Sequence, residues 1–174
     1  MAIYDITAPR FWQMLEALHG MLLKAEQSAA EPGDSPDDLL NARLAPDMHD
    51  LSMQIRFVCT QAQEAIARLT RAELPALAAP TDFAEAKGLI ASTQQLLKSA
   101  DRAAINDNAQ GRICIELDGG LTFDMTGEEY VVDWAIPQFY FHLVTAYNIL
   151  RNKGVPLGKA DYVPHMFAYS RHCA

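Results

Sequence analysis

The 174-residue chain lacks the local signatures that announce a particular chemistry. No HExxH or HxxxH pair occurs, so the spacing that sets two zinc-binding imidazoles on one helix face is missing. There is no GxSxG elbow, no glycine-rich phosphate loop and no paired-carboxylate motif. Cys59, Cys114 and Cys173 are an odd, scattered set without a CxxC, which argues against a disulfide framework and a cysteine zinc site. No cluster of Lys and Arg offsets the formal net charge of −8. That excludes the basic face needed to bind nucleic acid or to dock on an anionic membrane. No apolar run approaches the roughly 20 residues of a membrane span. The start, "MAIYDITAPRFWQML", has no basic segment leading into an apolar one, so no signal peptide is read there. These absences lead to the expectation of a reduced, cytoplasmic protein with neither nucleic acid nor membrane as partner.

What is present is a set of helical patterns. Half the residues are apolar and 21% are charged, and the length suits one domain, residues 1–174, with a real core. After Thr7, a potential N-cap, Phe11, Met14, Leu18, Met21 and Ala25 form one apolar stripe, with Pro9 in the first turn. The stretch "AAEPGDSPDD" then reads as a loop. A second pattern opens at "APDMHD", where Asp47 is placed to cap the helix and Asp50 to sit in its first turn. Met48, Leu51, Ile55, Val58, Ala62, Ala65 and Leu69 continue a seam for about three heptads, and Pro75 and Pro80 lie beyond it. A third begins at Asp82 and Glu85, with Phe83, Ala86, Ile90, Leu97 and Ala100 on its buried side, and ends at "NDNAQG".

The period then changes. Ile113, Ile115 and Leu117 alternate, as do Leu121, Phe123 and Met125, around Asp118-Gly119, which is a hairpin signal. A last helix is expected from about Pro137 to a Gly154 stop, with Leu150 and Val155 at the positions of a Schellman contact. Glu128 and Glu129 read as a solvated pair in the loop before it. The tail, with Tyr162, Phe167 and Tyr169, is aromatic enough to rest on the bundle or on a partner. The expected fold class is all-α: a four-helix bundle with one short β-hairpin before the last helix.

On that last helix, Gln138, His142, Thr145, Asn148 and Asn152 share a narrow stripe, while apolar residues cover most of the remaining circumference. The stripe either faces solvent or faces a cavity where side chains from facing helices converge. The other histidines carry less. His19 flanks an apolar stripe, His49 lies at the start of the second helix, and His165 and His172 lie in the tail. Cys59, inside the second helix, reads as a small buried hydrophobe.

The stretch "FYFHLVTAYNILRNKGVPLGKADY", with "RLAPDM" upstream and "TGEEYVVDWAIPQ" between them, resembles a bacterial domain-of-unknown-function branch of the DinB-like (DinB/YfiT) superfamily. The likeness runs from "FWQMLEALHGMLLKA" to "GKADY". It implies a four-helix bundle with a long crossover. Many members of that superfamily are regarded as metalloenzymes, and some relatives are transferases or isomerases that use low-molecular-weight thiols. The metal-binding members carry one histidine on the second helix and two, four apart, on the last. His142 matches the second of that pair, and Gln138 stands where the first would be. On the second helix Asp47 and His49 are the nearest candidates, followed by Asp50.

The resemblance thus makes His142 a candidate catalytic residue and metal ligand, and Gln138, Asp47 and His49 candidate ligand-binding residues. A divalent metal is the cofactor it implies. An amide oxygen is a weak donor beside imidazole, so this set would hold zinc or nickel less tightly than three histidines. The functional expectation is a degenerate metalloenzyme or thiol-dependent transferase with a polar pocket around His142. The alternative is a non-catalytic helical-bundle homodimer or a module that binds a small molecule.

Overall fold

The computed structural model describes residues 2–28 and 35–171. Four long helices carry the fold: α2 (Ala8–Ser28), α3 (Leu51–Thr70), α4 (Phe83–Lys98) and α7 (Ile136–Asn152). A one-turn helix, α1 (Ile3–Ile6), precedes them. Thr7 caps nothing ahead of it: its hydroxyl donates back to the Ile3 carbonyl at 2.8 Å, closing α1. Of the stretch expected as a loop, residues 29–34 lie outside the described residues, while Pro36–Asn41 forms a 3-10 helix.

The second long helix begins later than its apolar pattern suggests. Asp50, not Asp47, is the N-cap of α3, accepting from the Met53 backbone N–H at 3.1 Å. Both aspartates precede an apolar residue, and only the one whose carboxylate reaches three residues ahead can cap. Asp47 and His49 therefore lie in the turn before the helix, both exposed. The apolar seam itself holds: Leu51, Ile55, Val58, Ala62, Ala65 and Leu69 are all buried.

Helix α4 is capped by Asp82, which accepts from the Glu85 N–H at 2.7 Å. The returning Glu85 carboxylate reaches Thr81 rather than Asp82, so the box is offset by one residue. The helix stops at Lys98, and Ile105 is buried from a separate short helix, α5 (Arg102–Asp107), capped by Asp101. Strands β1 (Arg112–Glu116) and β2 (Thr122–Thr126) pair antiparallel, with Ile113 opposite Met125 and Ile115 opposite Phe123. Gly119 and Gly120 both take positive φ in the turn, which glycine does without strain. Leu117 and Leu121, expected to continue the inward faces, are exposed at the hairpin tip.

The last helix also differs from expectation. It starts ten residues early, in α6 (Gly127–Glu129), under a capping box between Thr126 and Glu129. Glu128 and Glu129 thus occupy a first helical turn, where the helix dipole favours them. A π-helical segment, Tyr130–Ala135, then leads directly into α7. Pro137 accounts for the irregularity. It has no N–H to give, and its ring crowds the carbonyl four residues back, so a regular α-helix cannot run through it unperturbed. At the far end, Gly154 has φ 86° and the Val155 N–H reaches the Leu150 carbonyl at 3.1 Å, the Schellman bond read from the sequence.

Helix α3 packs against α7 and α4, while α2 packs against α4 and α7. The ring order is α2–α4–α3–α7, so α2 and α3, consecutive in the chain, sit diagonally. The core closes between them, with Phe11 of α2 stacked on Phe139 of α7 at 4.3 Å. The tail is partly anchored. Tyr162, in α8 (Lys159–Tyr162), meets Tyr147 edge-on, and Asp161 pairs with Lys24 at 2.6 Å. Met166, Phe167 and Tyr169 beyond it are exposed.

Candidate functional site

The first turns of α3 carry a polar residue in the wrong place for a soluble helix. Gln54 follows Leu51 by three and precedes Val58 by four, so it lies on the buried seam and is only 2% exposed. A buried amide needs partners for both its ends. Its Nε2 donates to the His49 carbonyl at 3.2 Å, and its Oε1 lies 2.8 Å from Nδ1 of His142 on α7.

Those two contacts determine the state of His142. The donation to His49 turns the amide so that Oε1 faces the imidazole. A carbonyl oxygen only accepts, so Nδ1 must carry the proton. The neutral ring then has an unprotonated Nε2 with a free lone pair. Burial pushes the imidazole down to about 4, with a smaller contribution from the nearby His49. The Phe57 ring stacks on His142 at 4.7 Å, and His49 meets the same Phe57 edge-on at 5.2 Å. The Arg56 guanidinium also lies over Phe57, 5.2 Å from its centroid. The exposed Phe141 ring stands edge-on to His142 on the outer side.

The polar stripe of the last helix thus divides. His142 is half-buried against α3, Thr145 is buried and gives its hydroxyl proton to the Phe141 carbonyl, and Asn148 is exposed. The helix is not buried around most of its circumference, because Phe141 and Val144 face solvent. Gln138 is half-buried, one turn from His142. Gln54 and Phe57 complete the cluster. The sequence signal for Gln54 was an amide interrupting an apolar seam; nothing in Phe57 marked it as more than a core aromatic.

The donors do not fit a tightly held transition metal. His142 offers one nitrogen, Gln138 an amide, and Asp47 and His49 lie exposed in the turn before α3. Among the described residues no three His, Cys, Asp or Glu side chains come together as a metal-holding group. Cys59 and Tyr130 offer no alternative nucleophile. Burial pushes the Cys59 thiol up to about 12 and raises the Tyr130 hydroxyl as well. No helix among the described residues is long and apolar enough to cross a membrane.

Comparison with known proteins agrees with this architecture. The family described as a domain of unknown function, DUF1993, matches residues 3–163. A crystal structure of a DinB family member from Shewanella denitrificans is similar at 37% identity with a TM-score of 0.83. The match covers 92% of this chain and 90% of that one. No curated protein matches.

Proposed function

The chain belongs to the DinB-like family, as a DUF1993 domain, and from that membership we propose a bundle that binds a small molecule at His142 without a transition metal. The observation that supports this reading is the hydrogen bond between His142 Nδ1 and Gln54 Oε1. It leaves Nε2 as an acceptor for a ligand O–H, N–H or S–H, beside Phe57 as an apolar wall. Low-molecular-weight thiols are the first class to try, by family likeness. An imidazole with a pKa of about 4 is a poor base toward a thiol near 8.5, so the ring would bind and orient the S–H rather than remove its proton. Gln138 stands close enough in sequence to supply a second polar contact, His49 meets Phe57 edge-on, and Asp47 lies two residues before it in the same exposed turn.

The test is NMR of the histidine rings, followed by titration with Zn²⁺, Ni²⁺ and glutathione. We expect His142 as the Nδ1–H tautomer at pH 7, no titration of its ring between about pH 5 and 8, and a response of that ring to glutathione. A 1:1 zinc or nickel complex that disappears in His142→Ala, or an Nε2–H tautomer, would overturn the reading. A second reading, a non-catalytic homodimer, is favoured by one observation: Phe141, Val144 and the tail aromatics present apolar surface to solvent.

A further inference from the structure

The other half of α3 borders a cavity with a different chemistry. Its volume is about 360 Å³, and it lies between the C-terminal half of α3, the end of α4 and the extended connection between them. That volume is at the lower end of small-molecule sites, roughly 300–1,000 Å³. It is about 14 Å along α3 from Gln54 to Gln63, so the two sites are separate. Ile66, Ala67, Pro75 and Leu96 supply the apolar wall.

The polar side chains in the wall present mainly acceptors, the second Nε2 proton of Gln63 being the remaining side-chain donor. Gln63 is 8% exposed, and its Nε2 is held by Thr93 Oγ1 at 2.8 Å. Thr93 gives its own proton to the Leu89 carbonyl, which fixes the direction of that bond. Among the described residues none donates to the Gln63 Oε1. Thr70 and Ser99 also line the cavity, and their hydroxyl protons go to the Ile66 and Leu96 carbonyls. The two charged lining residues, Glu73 and Asp101, are acidic, and no basic side chain lines the cavity. Asp101 is occupied in capping α5, whereas Glu73 makes no ion pair with a described residue.

We propose that this cavity binds a small amphipathic amine, with its apolar body against Ile66 and Leu96 and its ammonium toward Gln63 and Glu73. An ammonium brings three donors and no acceptor, which is the complement of this wall. A carboxylate of the same shape would meet acceptors and like charge and be rejected.

The experiment uses the full chain with 2-phenylethylammonium, and phenylacetate as the isosteric anion, by calorimetry and amide NMR. At about 1 mM probe, the amine should shift resonances of residues 63–73 and 96–101 and leave the His142 ring unmoved, with no response to phenylacetate. Gln63→Leu should weaken the amine about tenfold. Glu73→Gln, at an exposed position that leaves folding intact, should weaken it about threefold. Equal binding of the anion, shifts centred on His142, no binding of the amine, or unchanged affinity in Glu73→Gln would each overturn the proposal.

Discussion

Protonating His142 in the folded chain would put a cation on a ring already half out of water and near His49. The neutral ring therefore contributes to the stability of the fold. The folded imidazole has a pKa of about 4, and an unfolded one is near 6.5. Between those values the unfolded chain takes up a proton that the folded chain refuses. The stabilising contribution is complete above about pH 6.5 and is lost as pH falls toward 4. Its ceiling is about 3 kcal/mol, or roughly 1–2 kcal/mol once solvent screening of a half-buried ring is allowed for. Urea unfolding at pH 7 and pH 4.5 should show this as a larger loss for wild type than for His142→Leu. Equal losses would mean that carboxylates such as Glu129 and Asp161, held low by hydrogen bonds to Thr126 and Lys24, carry all the acid sensitivity. At this scale the sequence showed His142 and left its partner hidden. Gln54 stands 88 residues away, and nothing local tells which buried amide will meet which ring.

The elements divide into those with a local code and those without. The α3 seam and the alternation of Ile113 and Ile115 in β1 were legible because periods of 3.6 and 2 select different faces. The Schellman end of α7 was legible because Gly154 marks it. The start of α3 was not, since Asp47 and Asp50 both look like caps. The two can be separated by experiment. Asp50→Ala should cost about 1 kcal/mol and lower Tm by about 2–4 °C for a chain of this size. It should also move the His142 ring signals, because the frayed turn carries the His49 carbonyl that orients Gln54. Asp47→Ala should stay within about 0.5 kcal/mol. Calorimetry that found the two equal would contradict the assignment of the cap. The π segment had no pattern of its own. Its cause, Pro137, was visible but was read as a start rather than as an obstacle inside a longer helix.

At the scale of the molecule, the bundle class followed from four amphipathic stripes, but the ring order did not, because a stripe names a face and not its neighbour. The surface carries one unresolved demand. Phe141 is 58% exposed and Tyr169 is 70% exposed, both large aromatics in water. If the Phe141 surface joins two copies, sedimentation of the wild type should show a dimer that Phe141→Ser dissociates into folded monomers, with a Tm that no longer depends on concentration. A wild type that stays monomeric at high concentration would sink the homodimer reading and leave the small-molecule one. The diagonal placement of α2 and α3 has a kinetic consequence. Neighbours in sequence cannot fold as a hairpin here, apart from α3 with α4. The Phe11–Phe139 stack joins residues 128 positions apart, so the core cannot close until nearly the whole chain has left the ribosome. Until then α2 can cover only the side that meets α4, and the side that meets α7 waits exposed, a ready target for chaperones during synthesis.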